Sequence, residues 1–68
     1  MIETKIIKIK DSNENFCKES VLRDVKYFIQ DNKIKKEDIV EYKTQHDSNI
    51  TRHGKIYCYE VILSYWCE

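Results

Sequence analysis

The chain has 68 residues, enough for a single small domain spanning 1–68, and a chain of this size buries only about 60% of its unfolded surface. Charged residues make up 35% and hydrophobic ones 41%, a globular rather than a disordered balance. Twelve basic and twelve acidic side chains cancel, which excludes the cationic footprint of a dedicated nucleic-acid binder and any broad attraction to anionic membranes.

The opening MIETKIIKIKD is too polar for a secretory leader, and no apolar run approaches the ~20 residues of a membrane span. The expected location is therefore the cytoplasm. Cys17, Cys58 and Cys67 are odd in number and lack framework spacing, which fits reduced thiols in that compartment. Lys and Ile dominate while Ala and Pro are missing, as in the AT-rich coding sequences of low-GC bacteria and their phages.

Residues Ile2 to Lys10 alternate well enough for a strand, but the phase slips at Ile6-Ile7. Either a bulge restores a single apolar face, or both faces are partly covered. Lys5, Lys8 and Lys10 read as solvated edge charges that discourage pairing with strangers. Asp11-Ser12-Asn13 is a cluster of helix-capping types, with Glu14 placed three after Asp11 as in a capping box. From Glu14 to Asn32 the period becomes helical: Cys17, Val21, Leu22, Val25, Phe28 and Ile29 fall within ~140° of one another at 100° per residue. Phe16, Ser20, Arg23 and Tyr27 lie on another side and leave an aromatic second edge. Asp31-Asn32-Lys33 ends the helix with residues that tolerate turn conformations. Lys33, Lys35 and Lys36 then sit where cations offset the helix macrodipole, and Ile34 is expected to anchor the loop Lys33 to Asp38.

Ile39 to His46 alternates again and reads as a second strand. Asp47 to Gly54 is the expected connection, with Gly54, the only glycine, at positive φ before the last strand. That last stretch, Lys55 to Glu68, is dense in Tyr, Ile, Val, Leu and Trp and has no Pro or Gly, the composition of a pleated, buried strand. Its period of two separates Tyr57, Tyr59, Val61, Leu63 and Tyr65 from Ile56, Cys58, Glu60, Ile62, Ser64 and Trp66. Both faces are substantially apolar, as in a central strand. The predicted fold is thus α+β in the order β-α-β-β, one helix packed on a three-stranded, mainly antiparallel sheet. One helix covers one sheet face, so one of the two sets on the last strand is left open as an apolar patch.

No motif for catalysis stands out. Cys58 and Cys67 point to opposite faces of a straight strand, and neither C-x-x-C nor H-x-x-x-H spacing exists for a metal. A single glycine precludes a Gly-rich phosphate loop, and His53 near Cys58 is the only sequence-local pair with nucleophile and base chemistry. No enzyme activity, metal or cofactor is expected.

The stretches Asp38-Ile39-Val40-Glu41-Tyr42-Lys43 and Lys55-Ile56-Tyr57-Cys58-Tyr59-Glu60-Val61-Ile62-Leu63-Ser64-Tyr65 resemble the second strand and the hairpin return of the sigma-E-controlled small sporulation protein family of spore-forming bacteria and their phages. The resemblance implies this fold and self-association, and brings no activity with it. The order of elements is also similar to that of dodecins, flavin-storing oligomers, in layout and not in binding residues.

The open face predicts a homo-oligomer. The function expected first is a non-enzymatic binding protein, such as a phage or bacterial sponge, that sequesters a small nucleotide-like or aromatic ligand between subunits. Tyr27, Tyr57, Tyr59, Tyr65 and Trp66 would stack on a ring, with Arg52 and His53 as cationic or polar contacts. The alternative is a protein–protein interaction module or inhibitor that offers an exposed strand or sheet face to a host protein. Nucleic acid is disfavoured by the neutral charge, and no membrane partner is expected. A straight strand over 55–68 would run ~46 Å at 3.3 Å per residue, beyond the usual ~17–20 Å. Its C-terminal end is therefore expected to bend or to project, with Trp66 buried against a neighbouring copy or a ligand.

Overall fold

In the computed structural model, which describes residues 1–68, the backbone follows the predicted order. Strand β1 (Ile2–Asp11) leads into helix α1 (Glu14–Asp31), a single 3₁₀ turn (Lys36–Asp38), strand β2 (Ile39–Thr51) and strand β3 (Gly54–Trp66). The sheet is antiparallel throughout, in the spatial order β1-β3-β2, so the most apolar strand takes the centre. The protein is a three-stranded α+β fold.

The strand assignments shift in detail. β1 pairs with β3 in unbroken register from Ile2↔Trp66 to Asp11↔Tyr57, so no bulge corrects its phase slip. Ile7 and Ile9 pack on the core, whereas Ile2 and Ile6 point to the opposite face and are about half exposed. The sheet's register shift falls instead in β2, between Ile39 and Glu41. β2 also runs five residues past His46, and the expected loop from Asp47 shortens to Arg52-His53 between the paired Thr51 and Gly54. Neither of those two residues has positive φ, so the reversal is completed by Gly54 at φ +117. The Thr51 hydroxyl donates to the Gly54 carbonyl at 2.9 Å and accepts from the His53 N–H at 3.2 Å, which closes the turn.

The helix begins one signal later than the Asp11 capping box suggests. Asn13 is the N-cap, accepting the Phe16 N–H at 3.0 Å, while the Asp11 carboxylate turns to the Ser12 N–H. Asp11 is committed to β1, so its backbone cannot serve the helix start. At the other end Lys33 takes φ 52, its N–H donates to the Gln30 carbonyl, and the Ile34 N–H donates to the Ile29 carbonyl at 3.0 Å. This is a Schellman closure with lysine at the position glycine usually holds, and Ile34 is half-buried beside it as an anchor.

α1 lies chiefly over β1 and β3. Val21 and Val25 pack on Val61, Cys17 lies against the Tyr57 carbonyl and Phe28 against Tyr65, and Leu63 is buried on the same side, so the helix covers the Tyr57-to-Tyr65 face of the central strand. Ser20, placed outside the apolar stripe by the helical wheel, is buried at 5% exposure, and Leu22, placed within it, is 46% exposed. Both shifts follow from the helix sitting off-centre, with its β2 side uncovered. Only seven of 68 residues are buried, so the core is small enough for any one of its side chains to matter.

The molecule measures 46 × 17 × 13 Å. Its length comes from the tip of the β2–β3 hairpin, which extends beyond the last β1 partner at Tyr57. The end that projects is therefore the start of β3. Its other end is held: Trp66 pairs with Ile2, the Cys67 N–H donates to the Met1 carbonyl at 2.6 Å, and the Met1 amino group donates to the Cys67 carbonyl at 3.0 Å.

Candidate functional site

Strand parity and register together build the face opposite the helix. From one end it carries the cross-strand rows Ile2–Trp66, Thr4–Ser64–Glu41, Ile6–Ile62–Lys43, Lys8–Glu60–Gln45 and Lys10–Cys58–Asp47. No element of the chain covers it. The first rows form an apolar end, with Ile2, Ile6 and Trp66 each 52–56% exposed and the Thr4 and Ser64 hydroxyls joined at 2.9 Å. The later rows form a polar end, where the twisted sheet makes a trough of about 810 Å³ lined by Lys8, Lys10, Gln45, Asp47, Cys58 and Glu60. These ammonium and carboxylate groups are not closed into ion pairs; the ion pair of the chain is Arg23–Asp24 on the helix. The trough thus presents donors and acceptors of both signs beside an apolar platform, a surface suited to a polar, planar molecule or to another protein.

A second recess of about 270 Å³ lies on the helix side, between α1 and the uncovered β2. Lys18 and Leu22 form one wall, and Thr44, His46 and Tyr59 form the floor. The His46 and Tyr59 rings stack at 5.6 Å and 26°. Burial and the nearby Glu14 carboxylate raise the Tyr59 hydroxyl pKa, so this ring stays neutral well into alkaline solution.

The residues singled out from the sequence do not converge. Tyr57, Tyr59 and Tyr65 share the helix side of β3. Tyr65 is buried, packs edge-on against Phe28 with ring centroids at 5.8 Å, and donates its hydroxyl to the Glu3 carboxylate at 3.1 Å. Tyr57 lies under the Lys55 ammonium at 5.2 Å. Trp66 is on the opposite face, Tyr27 is exposed on the helix, and Arg52 and His53 form the hairpin turn at the far end. Sequence reasoning took Lys8 and Lys10 for edge charges only and did not place Gln45 and Asp47 in a site. The one signal for them was Glu60, a carboxylate in the middle of an apolar strand, which requires polar neighbours on its own face.

Cys17 is fully buried, and its thiol lies 3.7 Å from the Asp11 carbonyl and 3.6 Å from that of Tyr57. Burial, reinforced by the Asp11 carboxylate, raises its pKa. All three cysteines are free thiols, and no group of three or more His, Cys, Asp and Glu side chains is placed to hold a metal ion. No helix is long and apolar enough to cross a membrane. Comparison of the chain with family models, with curated proteins and with solved structures gave no match in any of the three.

Proposed function

We propose that this is a small non-enzymatic, self-associating binding protein that holds a nucleotide-like or aromatic ligand between copies, against the open face of its sheet. The observation that carries the reading is the juxtaposition on one uncovered face of an apolar platform (Ile2, Ile6, Trp66) and an unpaired charged trough (Lys8, Lys10, Asp47, Glu60). Trp66 supplies a half-exposed ring for stacking, and the two lysines supply charge for a phosphate or carboxylate. Three strands of about ten residues present a face of roughly 480 Å², taking 4.8 Å between strands and 3.3 Å per residue. Two such faces bury close to 1,000 Å², the lower limit for a specific interface, so a ligand filling the trough would strengthen a weak association. Free thiols throughout agree with action in the cytoplasm. Self-association is also what the resemblance to the small sporulation proteins implies.

Native mass spectrometry of the protein as purified from cells reads subunit number and retained ligand together. Multiples of 8.3 kDa carrying a small-molecule increment are expected. A bare monomer at 100 µM overturns the reading. The alternative is a protein–protein interaction module or inhibitor, and the specific observation in its favour is the uncovered outer edge of β2, thirteen residues long. Pull-down from host lysate with a stable stoichiometric partner, and no retained small molecule, would favour it. Steep weakening of any interaction by added salt would point instead to nucleic acid.

A further inference from the structure

We propose that the free edge of β2 pairs antiparallel with β2 of a second copy, Gln45 opposite Gln45, to give a continuous six-stranded sheet. The two edges of this sheet are treated differently by the sequence. β1 carries Lys5, Lys8 and Lys10 along its length, a device that discourages pairing. β2 is less protected: it is thirteen residues long and has no proline, its one irregularity lies between Ile39 and Glu41 at its start, and it carries a single lysine, Lys43, with the acidic Glu41 and Asp47 beside it. Mean strands are about five or six residues, and edge strands are usually kept short.

The side chains select the register. A two-fold axis perpendicular to the sheet pairs residue i with a residue j at constant i + j, and that sum is even because facing residues must point to the same side. With Gln45 on the axis, Lys43 faces Asp47 of the second copy, and the pair occurs twice. Tyr42 faces Ser48, Thr44 faces His46, Glu41 faces Asn49, and no like charges meet. Moving the axis to Thr44 sets Glu41 against Asp47 twice. Moving it to Lys43 or Asp47 sets that charge against itself, and moving it to His46 leaves Lys43 opposite Asn49 with no ion pair. Moving it to Tyr42 also sets Lys43 against Glu41 twice, but overlaps only residues 39–45 of each copy, whereas the Gln45 axis pairs all thirteen residues of β2; charge and overlap together choose the Gln45 register.

The helix leaves room for the second copy, since α1 packs chiefly on β1 and β3. Pairing would bring the two recesses beside His46 and Leu22 together across the axis as one groove between the helices. This edge interface rests on the self-association proposed above but not on the open face, so the two are separable.

The test combines sedimentation with cross-linking in solution. A short bis-maleimide, applied in a Cys58→Ser, Cys67→Ser background, should join Gln45→Cys to its copy efficiently. It should fail with Asn49→Cys, whose copy lies eight residues along the pair, about 27 Å at 3.4 Å per residue. Lys43→Glu should weaken the dimer about tenfold or more, and Lys43→Asp with Asp47→Lys should restore it. Equal cross-linking at positions 45 and 49, a Lys43→Glu dimer as tight as wild type, or a monomer at 100 µM overturns the proposal. An oligomer lost in Trp66→Lys, with no cross-link at position 45, overturns the edge pairing and leaves the open-face reading intact. An edge dimer that survives Trp66→Lys and retains no small molecule supports the pairing and removes the open-face function.

Discussion

Leu63 and Ile62 are neighbours in β3 that point to opposite sides of the sheet, and truncating each to Ala measures directly which side the helix covers. Leu63 is 1% exposed beneath α1, whereas Ile62 is only partly buried on the open face. Leu63→Ala removes hydrocarbon worth ~0.8 kcal/mol per methylene and leaves a cavity the small core fills poorly, for a cost of about 3 kcal/mol. A domain of this size has a total stability of roughly 3–10 kcal/mol, so the variant loses a large share of it. With a urea slope near 1 kcal/mol/M, the midpoint should fall by about 3 M, or the cooperative transition should vanish. Ile62→Ala gives up only the part of its side chain that is sheltered, about 1 kcal/mol. Urea titration followed by far-ultraviolet circular dichroism at low micromolar concentration isolates the monomer fold. Equal midpoints for the two variants, or a lower one for Ile62→Ala, would refute the placement of the helix. At high protein concentration an additional penalty confined to Ile62→Ala would report a second copy covering the open face.

Cys17 should resist thiol reagents at pH 8 until the protein is unfolded, because it is fully buried and its pKa is raised, while Cys58 and Cys67 react in the native state. Three equal labelling rates would show that the helix does not seat on Tyr57. Burial and the hydrogen bond to Glu3 raise the Tyr65 hydroxyl pKa, so the native state favours its neutral form. That contribution is complete below the unfolded phenol pKa of about 10 and is lost as pH rises through the folded value. Wild type should therefore lose stability above about pH 10 more steeply than Tyr65→Phe, and identical pH profiles from 8 to 11.5 would contradict the Glu3 contact. Lys33→Gly should raise the melting temperature, since glycine occupies φ 52 at a saving of about 1 kcal/mol. Gly54→Ala should lower it by a similar amount although nothing lies within 4 Å of the added methyl, the penalty coming from φ +117 alone. Changes of opposite sign to these would remove the turn assignments. Trp66→Ala should weaken self-association by ~2 kcal/mol if the open face is the interface, and a water-like, readily quenched Trp66 emission unchanged by dilution or ligand would exclude that role.

Local chemistry made much of the fold legible. The change of period at Glu14, the turn-forming Asn32-Lys33, and Gly54 before an apolar run state the order strand, helix, strand, strand, and each acts through backbone preferences that need no distant partner. The density of Tyr, Val, Ile and Leu in residues 55–66 likewise identified the central strand, whose side chains are flanked on each face by those of a neighbouring strand on either edge. Other features depended on contacts far apart in the chain. Which face of β3 the helix takes could not be read from a strand apolar on both sides. The choice follows from Val21 and Val25 meeting Val61 with Ile7, Ile9 and Tyr59 alongside. The extension of β2 to Thr51 rests on cross-strand pairing with Gly54 to Cys58, which overrides the polar, loop-like composition of residues 47–51. The charged trough was hidden for the same reason: Lys8, Asp47 and Glu60 come from three separate strands, and only the pairing register sets them side by side. Periodicity is a property of one segment and was readable in the sequence; register and coverage are relations between segments, and these the tertiary structure decided.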